Sequence, residues 1–167
     1  DTATRWGAYY VREQFVNYAI HRGFQVDDLV GDHADRRHFV GMRKETLYFS
    51  VLGHGNETTF TGQNLEKVLW VGDEEGAEAL RGKIADFLSC EVGKELVPWL
   101  VERGLRAAMA YTATYIFIIE RDNYPDGAAK HFFEPHFTFD SQLYSGGTTG
   151  EAHKAVLEEY QRRLEDP

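Results

Sequence analysis

The sequence is poor in cysteine, proline and positive charge, and it has no long apolar run. Its 167 residues include one cysteine, Cys90, and four prolines. One cysteine makes no internal disulfide and cannot build a thiolate zinc site. It can pack as a small apolar residue or act as a nucleophile. The longest uncharged apolar stretch, 107–119, contains Thr112 and Thr114 and is shorter than the roughly 20 residues of a membrane span. Lys and Arg number 18 against 27 Asp and Glu, a net charge of −9. Such a surface as a whole has no electrostatic footprint for nucleic acid or an anionic membrane. Acidity of this kind keeps a protein soluble, and it also suits a basic substrate. No G-x-G-x-x-G, P-loop or EF-hand spacing occurs. Hydrophobic residues at 43% and charged residues at 27% describe a globular chain with one sizeable core, so a single domain over 1–167 is expected.

Apolar and polar residues alternate between two periodicities along the chain. A helix is expected from Thr2 or Thr4 to Arg22, with Trp6, Tyr9, Tyr10, Phe15, Tyr18 and Ala19 supplying the spacing and Gly23 the stop. Phe24-Gln25-Val26 reads as extended, and 33–40 as a short helix. The run 47–52 is short, uncharged and rich in β-branched and aromatic residues, which suits a buried strand. Short helices are expected over 64–69 and 77–82, with a solvated turn at 72–76 between them. Residues 84–88 form a second buried strand, 91–103 a helix with a kink at Pro98, and 105–111 a third strand. The segment 116–119 fits either strand or helix. After a loop at 123–127, residues 128–144 read as a helix interrupted by Pro135, and Thr148 with Glu151 has capping-box spacing for a last helix to Leu164. Strands alternating with helices predict an α/β fold with a mostly parallel sheet and helices on both faces. Only four strands are visible, so a further strand ahead of Asp1 is expected.

Ligands bind open parallel sheets at the carboxyl ends of their strands. Two strand ends here carry reactive groups. The first ends in Gly53-His54-Gly55 and the second in Ser89-Cys90. Neighbouring strands would bring His54 and Cys90 to one rim. An imidazole beside a thiol accepts its proton, and the resulting imidazolium favours the thiolate. The helix expected after Cys90 would aim its positive end at the sulfur. Gly55 leaves the backbone open to substrate, and its N–H with that of Cys90 would form an oxyanion hole. Taken singly, a lone cysteine at a strand end is more often packing, and a histidine between glycines is more often a loop residue. Their occurrence at successive strand ends, in this order, is what points to chemistry.

The residues 48–55, Tyr-Phe-Ser-Val-Leu-Gly-His-Gly, and 84–90, Ile-Ala-Asp-Phe-Leu-Ser-Cys, resemble the signature of the caspase-like (clan CD) cysteine peptidases. In pattern they are most similar to the gingipain-like and CHAT-domain members. Further similarity lies in Cys90-Glu91-Val92-Gly93, in Gly104-Leu105-Arg106-Ala107-Ala108 and in 146–152, Gly-Gly-Thr-Thr-Gly-Glu-Ala. The opening 1–30 looks like the first helix and second strand of that fold, so the resemblance spans nearly the whole chain. It implies a caspase-like three-layer sandwich, with a first strand before residue 1 missing from this chain or removed by processing. It also implies a cysteine endopeptidase with Cys90 as nucleophile, His54 as general acid/base and an oxyanion hole from Gly55 and Cys90.

Specificity in that family depends on the residue before the scissile bond. A caspase-type pocket for Asp is disfavoured, because Leu88-Ser89-Cys90 replaces the caspase Gln-Ala-Cys. A preference for Arg or Lys is expected instead, with Asp1, Asp86 or Glu91 as the acidic partner. Taken singly, each of these is more often a solvated surface charge. Tyr111, Tyr115 and Phe117 follow the third strand, where relatives line the pocket, and core packing suits them as well. The surface segments 56–61 and 122–127 read as cleavage or gating loops.

No metal site is expected. Asp32, His33, Asp35 and His38, or His131, Glu134 and His136, lack the i,i+4 His pair that shares a helical face. Asp73-Glu74-Glu75 reads as solvated charge. Some family members need Ca²⁺, which leaves Ca²⁺ as the one open cofactor. Expected partners are a protein or peptide substrate, with no nucleic acid and no membrane, and a further domain or N-terminal segment is allowed for. The compartment is not fixed by the sequence, and cytoplasmic is the working expectation. A non-catalytic caspase-like interaction module and an unrelated doubly wound α/β binder stay open as alternatives.

Overall fold

The computed structural model describes residues 2–120 and 127–165. The chain divides into two compact units, one built from 1–28 with 116–167 and the other from 29–115.

The 29–115 unit carries both sheets. A parallel sheet has the order β1 (Tyr48–Leu52), β5 (Ile84–Leu88), β6 (Ala107–Ala110). Leu52 pairs with Leu88, so β1 and the central strand β5 end level with each other. A small antiparallel sheet joins β2 (His54–Asn56), β3 (Thr59–Thr61) and β4 (Lys67–Trp70). The expectation of an α/β fold with a parallel sheet is met at that level. Three helices accompany the strands: α3 (Arg36–Val40), α4 (Glu74–Leu80) and α5 (Leu96–Glu102). The core joins Phe39, Phe60, Leu69, Leu80, Phe87 and Leu96, among others, into one apolar cluster. Phe87 meets Phe49 and Phe60 edge-on, with centroids at 6.5 and 5.9 Å.

Several local expectations are corrected here. Residues 64–69 are not helical. A 3-10 turn, Gln63–Leu65, with Asn64 and Leu65 at positive φ, leads directly into β4. Val68 and Leu69 are both buried, which requires cover on both faces of a strand and leaves no helical stripe. The loop expected at 56–61 is a hairpin turn and strand. Its two-residue turn, Glu57-Thr58, is fixed by the Asn56 side chain, which accepts from the Thr58 N–H at 3.0 Å, and Phe60 is buried beneath it. In the 72–76 turn Glu74 and Glu75 are solvated as expected, but Asp73 is not: it is 5% exposed and caps α4 by accepting from the Gly76 N–H at 3.0 Å. Pro98 makes no kink, because it is the third residue of α5, where its missing N–H has no intrahelical acceptor.

The other unit is helical and aromatic. Helical residues run from α1 (Thr2–Tyr10) through a π-helical turn, Val11–Val16, into α2 (Asn17–His21). The segment 24–26 is not a strand, and Phe24 instead lies 4.8 Å from the Tyr144 ring. α6 (Lys130–Tyr144) continues without a break across Pro135. Its aromatic contacts outweigh the one lost backbone bond: Tyr10 stacks on Phe133 at 5.0 Å, and Phe15 packs on Phe137 and Tyr144. α7 (Thr149–Glu165) begins in the expected capping box. Thr148 donates its N–H to Glu151 at 2.8 Å and accepts the Glu151 N–H at 3.3 Å. No described helix is long and apolar enough to cross a membrane.

Candidate functional site at the ends of β1 and β5

Both strand-end motifs lie in the 29–115 unit, and the structure brings them together. β1 stops at Leu52, and Gly53 donates its N–H to Leu88 O at 3.3 Å, which continues the ladder one step beyond the register. The chain then turns into the hairpin whose first residues are His54 and Gly55. β5 stops at Leu88 and gives way to Ser89 and Cys90.

The closest approach is at Gly55. A Cβ placed there would meet Ser89 Oγ at 2.4 Å, Val92 Cγ1 at 2.7 Å and Cys90 O at 3.1 Å. Only a glycine lets the His54 hairpin lie this close to the Cys90 loop. Ser89 is 2% exposed, and its hydroxyl has no hydrogen-bond partner among the described residues. His54 and Cys90 are both half-buried, so each is reachable from solvent.

The Cys90 loop is tied down by its backbone. Glu91 donates its N–H to Ala113 O at 3.1 Å, and Gly93 donates to Tyr111 O at 2.9 Å. Glu91 has φ +58°, a left-handed conformation uncommon for a residue with a side chain. The Tyr115 N–H points at Cys90 Sγ from 3.4 Å, and the Tyr115 carbonyl lies 4.0 Å from the same sulfur.

The carboxylates considered for a basic pocket fall in different places. Glu91 directly follows Cys90, but its carboxylate is bound by Lys94 at 2.6 Å. Asp86 sits mid-strand in β5, fully buried, with Ser50 donating to it at 3.5 Å, rather than at the strand's end. Asp1 lies outside the described residues. Tyr111 and Tyr115 stay with the site, their rings 4.8 Å apart. Phe117 belongs to the helical unit and packs edge-on to Phe133 at 4.7 Å. The segment 122–126 is likewise not described.

Two groups escaped the sequence reading. Lys94 binds Glu57 at 2.8 Å as well as Glu91, and these hydrogen bonds, that to Glu57 foremost, hold its ammonium protonated well above the ordinary lysine range. Ser89 went unmarked as a buried hydroxyl. The i,i+3 spacing of Glu91 and Lys94 was the one signal available for the first.

Several of the acidic residues elsewhere have structural roles. Asp73 and Glu75 both bind Arg36, whose guanidinium lies 4.5 Å over the Trp70 ring, and Glu74 binds Arg103 at 3.0 Å. Asp35 caps α3. The His38 N–H and then its ring nitrogen hold the Asp35 carboxyl below the usual carboxylate range. Glu134 accepts from Arg163 at 2.7 Å. No family model matches the chain, and no curated protein or solved structure matches it either.

Proposed function

We propose that the protein is a cysteine endopeptidase acting through Cys90 and His54. The observation that carries this reading is the contact of Gly55 with Ser89 and Cys90, which joins two strand ends bearing an imidazole and a thiol. The level ends of β1 and β5 and the Tyr115 N–H directed at the sulfur support it further. In this reading the parallel sheet belongs to a caspase-like three-layer sandwich, as the resemblance of the two motifs implies.

The chemistry would run in two steps. The Cys90 thiolate attacks the carbonyl carbon of the scissile bond, and the backbone N–H groups of Gly55 and Cys90 take the negative charge of the oxygen. The C–N bond breaks, His54 gives its proton to the leaving amine, and a thioester remains on Cys90. Water then attacks the thioester, giving its proton to His54. The C–S bond breaks and the acid product leaves. Arg or Lys is the residue proposed before the scissile bond, in keeping with the acidic surface. Because Lys94 already occupies Glu91, a basic side chain bound there would have to displace that ammonium.

A fluorogenic peptide panel varying only the residue before the scissile bond tests the proposal, run with and without Ca²⁺. Hydrolysis by the wild type and none by Cys90→Ala supports it and names the preferred residue. Hydrolysis of equal rate by both proteins refutes it. Silence of a folded wild type across the whole panel favours the non-catalytic module.

A further inference from the structure

We propose that Lys94 is a positioning residue for the reactive pair, a clamp that ties the hairpin carrying His54 to the loop carrying Cys90. The proposal rests on the cysteine-peptidase reading of the site.

Lys94 stands between the two pieces. On one side its ammonium binds Glu91, the residue directly after Cys90, at 2.6 Å. On the other it binds Glu57 at 2.8 Å, and Glu57 lies in the turn of the hairpin that begins with His54 and Gly55. The backbone reinforces the same junction, with the Leu96 N–H donating to Glu57 O at 2.9 Å. The far flank of the Cys90 loop is already fixed by the bonds of Glu91 and Gly93 to Ala113 and Tyr111. Lys94 fixes the near flank.

Glu91 gives this tie a purpose. Its left-handed backbone is a conformation that a residue with a Cβ leaves readily unless something holds it. Its carboxylate is held by Lys94, so the turn that aims Cys90 is kept by an ion pair as well as by its amide. The three side chains are 31–47% exposed. Ion pairs so exposed bias a conformation by no more than about fivefold and weaken in salt. They suit fine positioning better than global stability.

Through-space charge makes a competing prediction of opposite sign. Removing the negative charge of Glu57 would, by Coulomb's law alone, favour a nearby thiolate and speed its reactions. Loss of the clamp would slow them, because the imidazole and thiol would hold their alignment for less of the time.

The test is the rate of Cys90 alkylation by iodoacetamide at neutral pH and low salt, on the full chain. Cys90 is the sole cysteine, so every adduct reports on it. Glu57→Gln and Lys94→Met are each expected to slow alkylation about fivefold. Lys94→Arg, which keeps both ion pairs, is expected to restore most of the rate. Near 1 M salt, where the screening length falls to about 3 Å, wild type and variants are expected to converge. Circular dichroism establishes that each variant is folded, and Glu57→Gln serves if Lys94→Met is not. His54→Ala separates the two levels of the argument. If it slows alkylation while Glu57→Gln matches or exceeds the wild type, the clamp is wrong and the dyad stands. If His54→Ala leaves the rate unchanged, the dyad falls and the clamp falls with it.

Discussion

A side chain at residue 55 would bring its Cβ to 2.4 Å from the Ser89 hydroxyl oxygen. Real Cβ atoms do not approach so closely, so Gly55→Ala must displace the packed Ser89 and Val92 side chains or move the His54 hairpin off the Cys90 loop. Overpacking of this kind costs about 2 kcal/mol. Gly55→Ala is expected to lower stability by that amount in denaturant unfolding and to abolish Cys90-dependent hydrolysis. Full activity in Gly55→Ala would mean that the two strand ends need not touch.

Ser89 predicts a change of the opposite sign. Its hydroxyl is buried and makes no hydrogen bond among the described residues. A buried donor left unsatisfied carries its full desolvation penalty. Ser89→Ala is therefore expected to stabilise the fold by about 1 kcal/mol in denaturant unfolding. A loss of that size instead would show that the hydroxyl is engaged in solution.

The Arg36–Asp73 pair anchors α4. Asp73 receives two groups at once, the Gly76 N–H and the Arg36 guanidinium at 2.8 Å, while almost wholly out of water. Asp73→Ala leaves the guanidinium without its buried partner and the helix without its cap. The expected loss is about 3 kcal/mol, read by denaturant unfolding. Glu75→Ala, which removes an exposed partner of the same arginine, is expected to change stability by less than about 0.5 kcal/mol.

Acid acts on the helical unit through Glu159. Hydrogen bonds from Arg162 and, less strongly, Arg163 pull its carboxyl from the ordinary 4.5 down to about 2. The folded value lies below the unfolded one, so the stabilisation is complete above about pH 4.5 and is lost as the pH falls toward 2. Screening at this partly exposed site limits the effect to about 1 kcal/mol. Glu159→Gln is expected to lower stability by that amount at neutral pH and to match the wild type near pH 2. An equal loss at both ends of the range would assign the effect to packing.

The sequence made some of this legible and hid the rest for physical reasons. β1 and β5 were readable because strands of a parallel sheet are short, mostly apolar runs, β5 interrupted only by Asp86. The capping box of α7 was readable because it is local. The hairpin was not. Thr59–Thr61 is three residues long, too short to show a period, and β4 carries Lys67 at its start. Pro135 misled because propensity is local, whereas the Tyr10 and Phe15 rings that hold α6 in place come from elsewhere in the chain. At the site, His54 and Cys90 stood out by type and order. The Lys94 clamp did not, since Glu57 lies 37 residues from Lys94 and only folding joins them.

The central claim is that Cys90 forms a covalent bond to the acyl group of a peptide, assisted by His54. Intact-mass measurement tests it most directly, after incubation of the protein with a peptidyl acyloxymethyl ketone ending in arginine or lysine. The account predicts one adduct per chain, mapping to Cys90, absent in Cys90→Ala and formed far more slowly in His54→Ala. An unmodified wild type that nonetheless cleaves peptides, or an adduct of equal rate in His54→Ala, would contradict it.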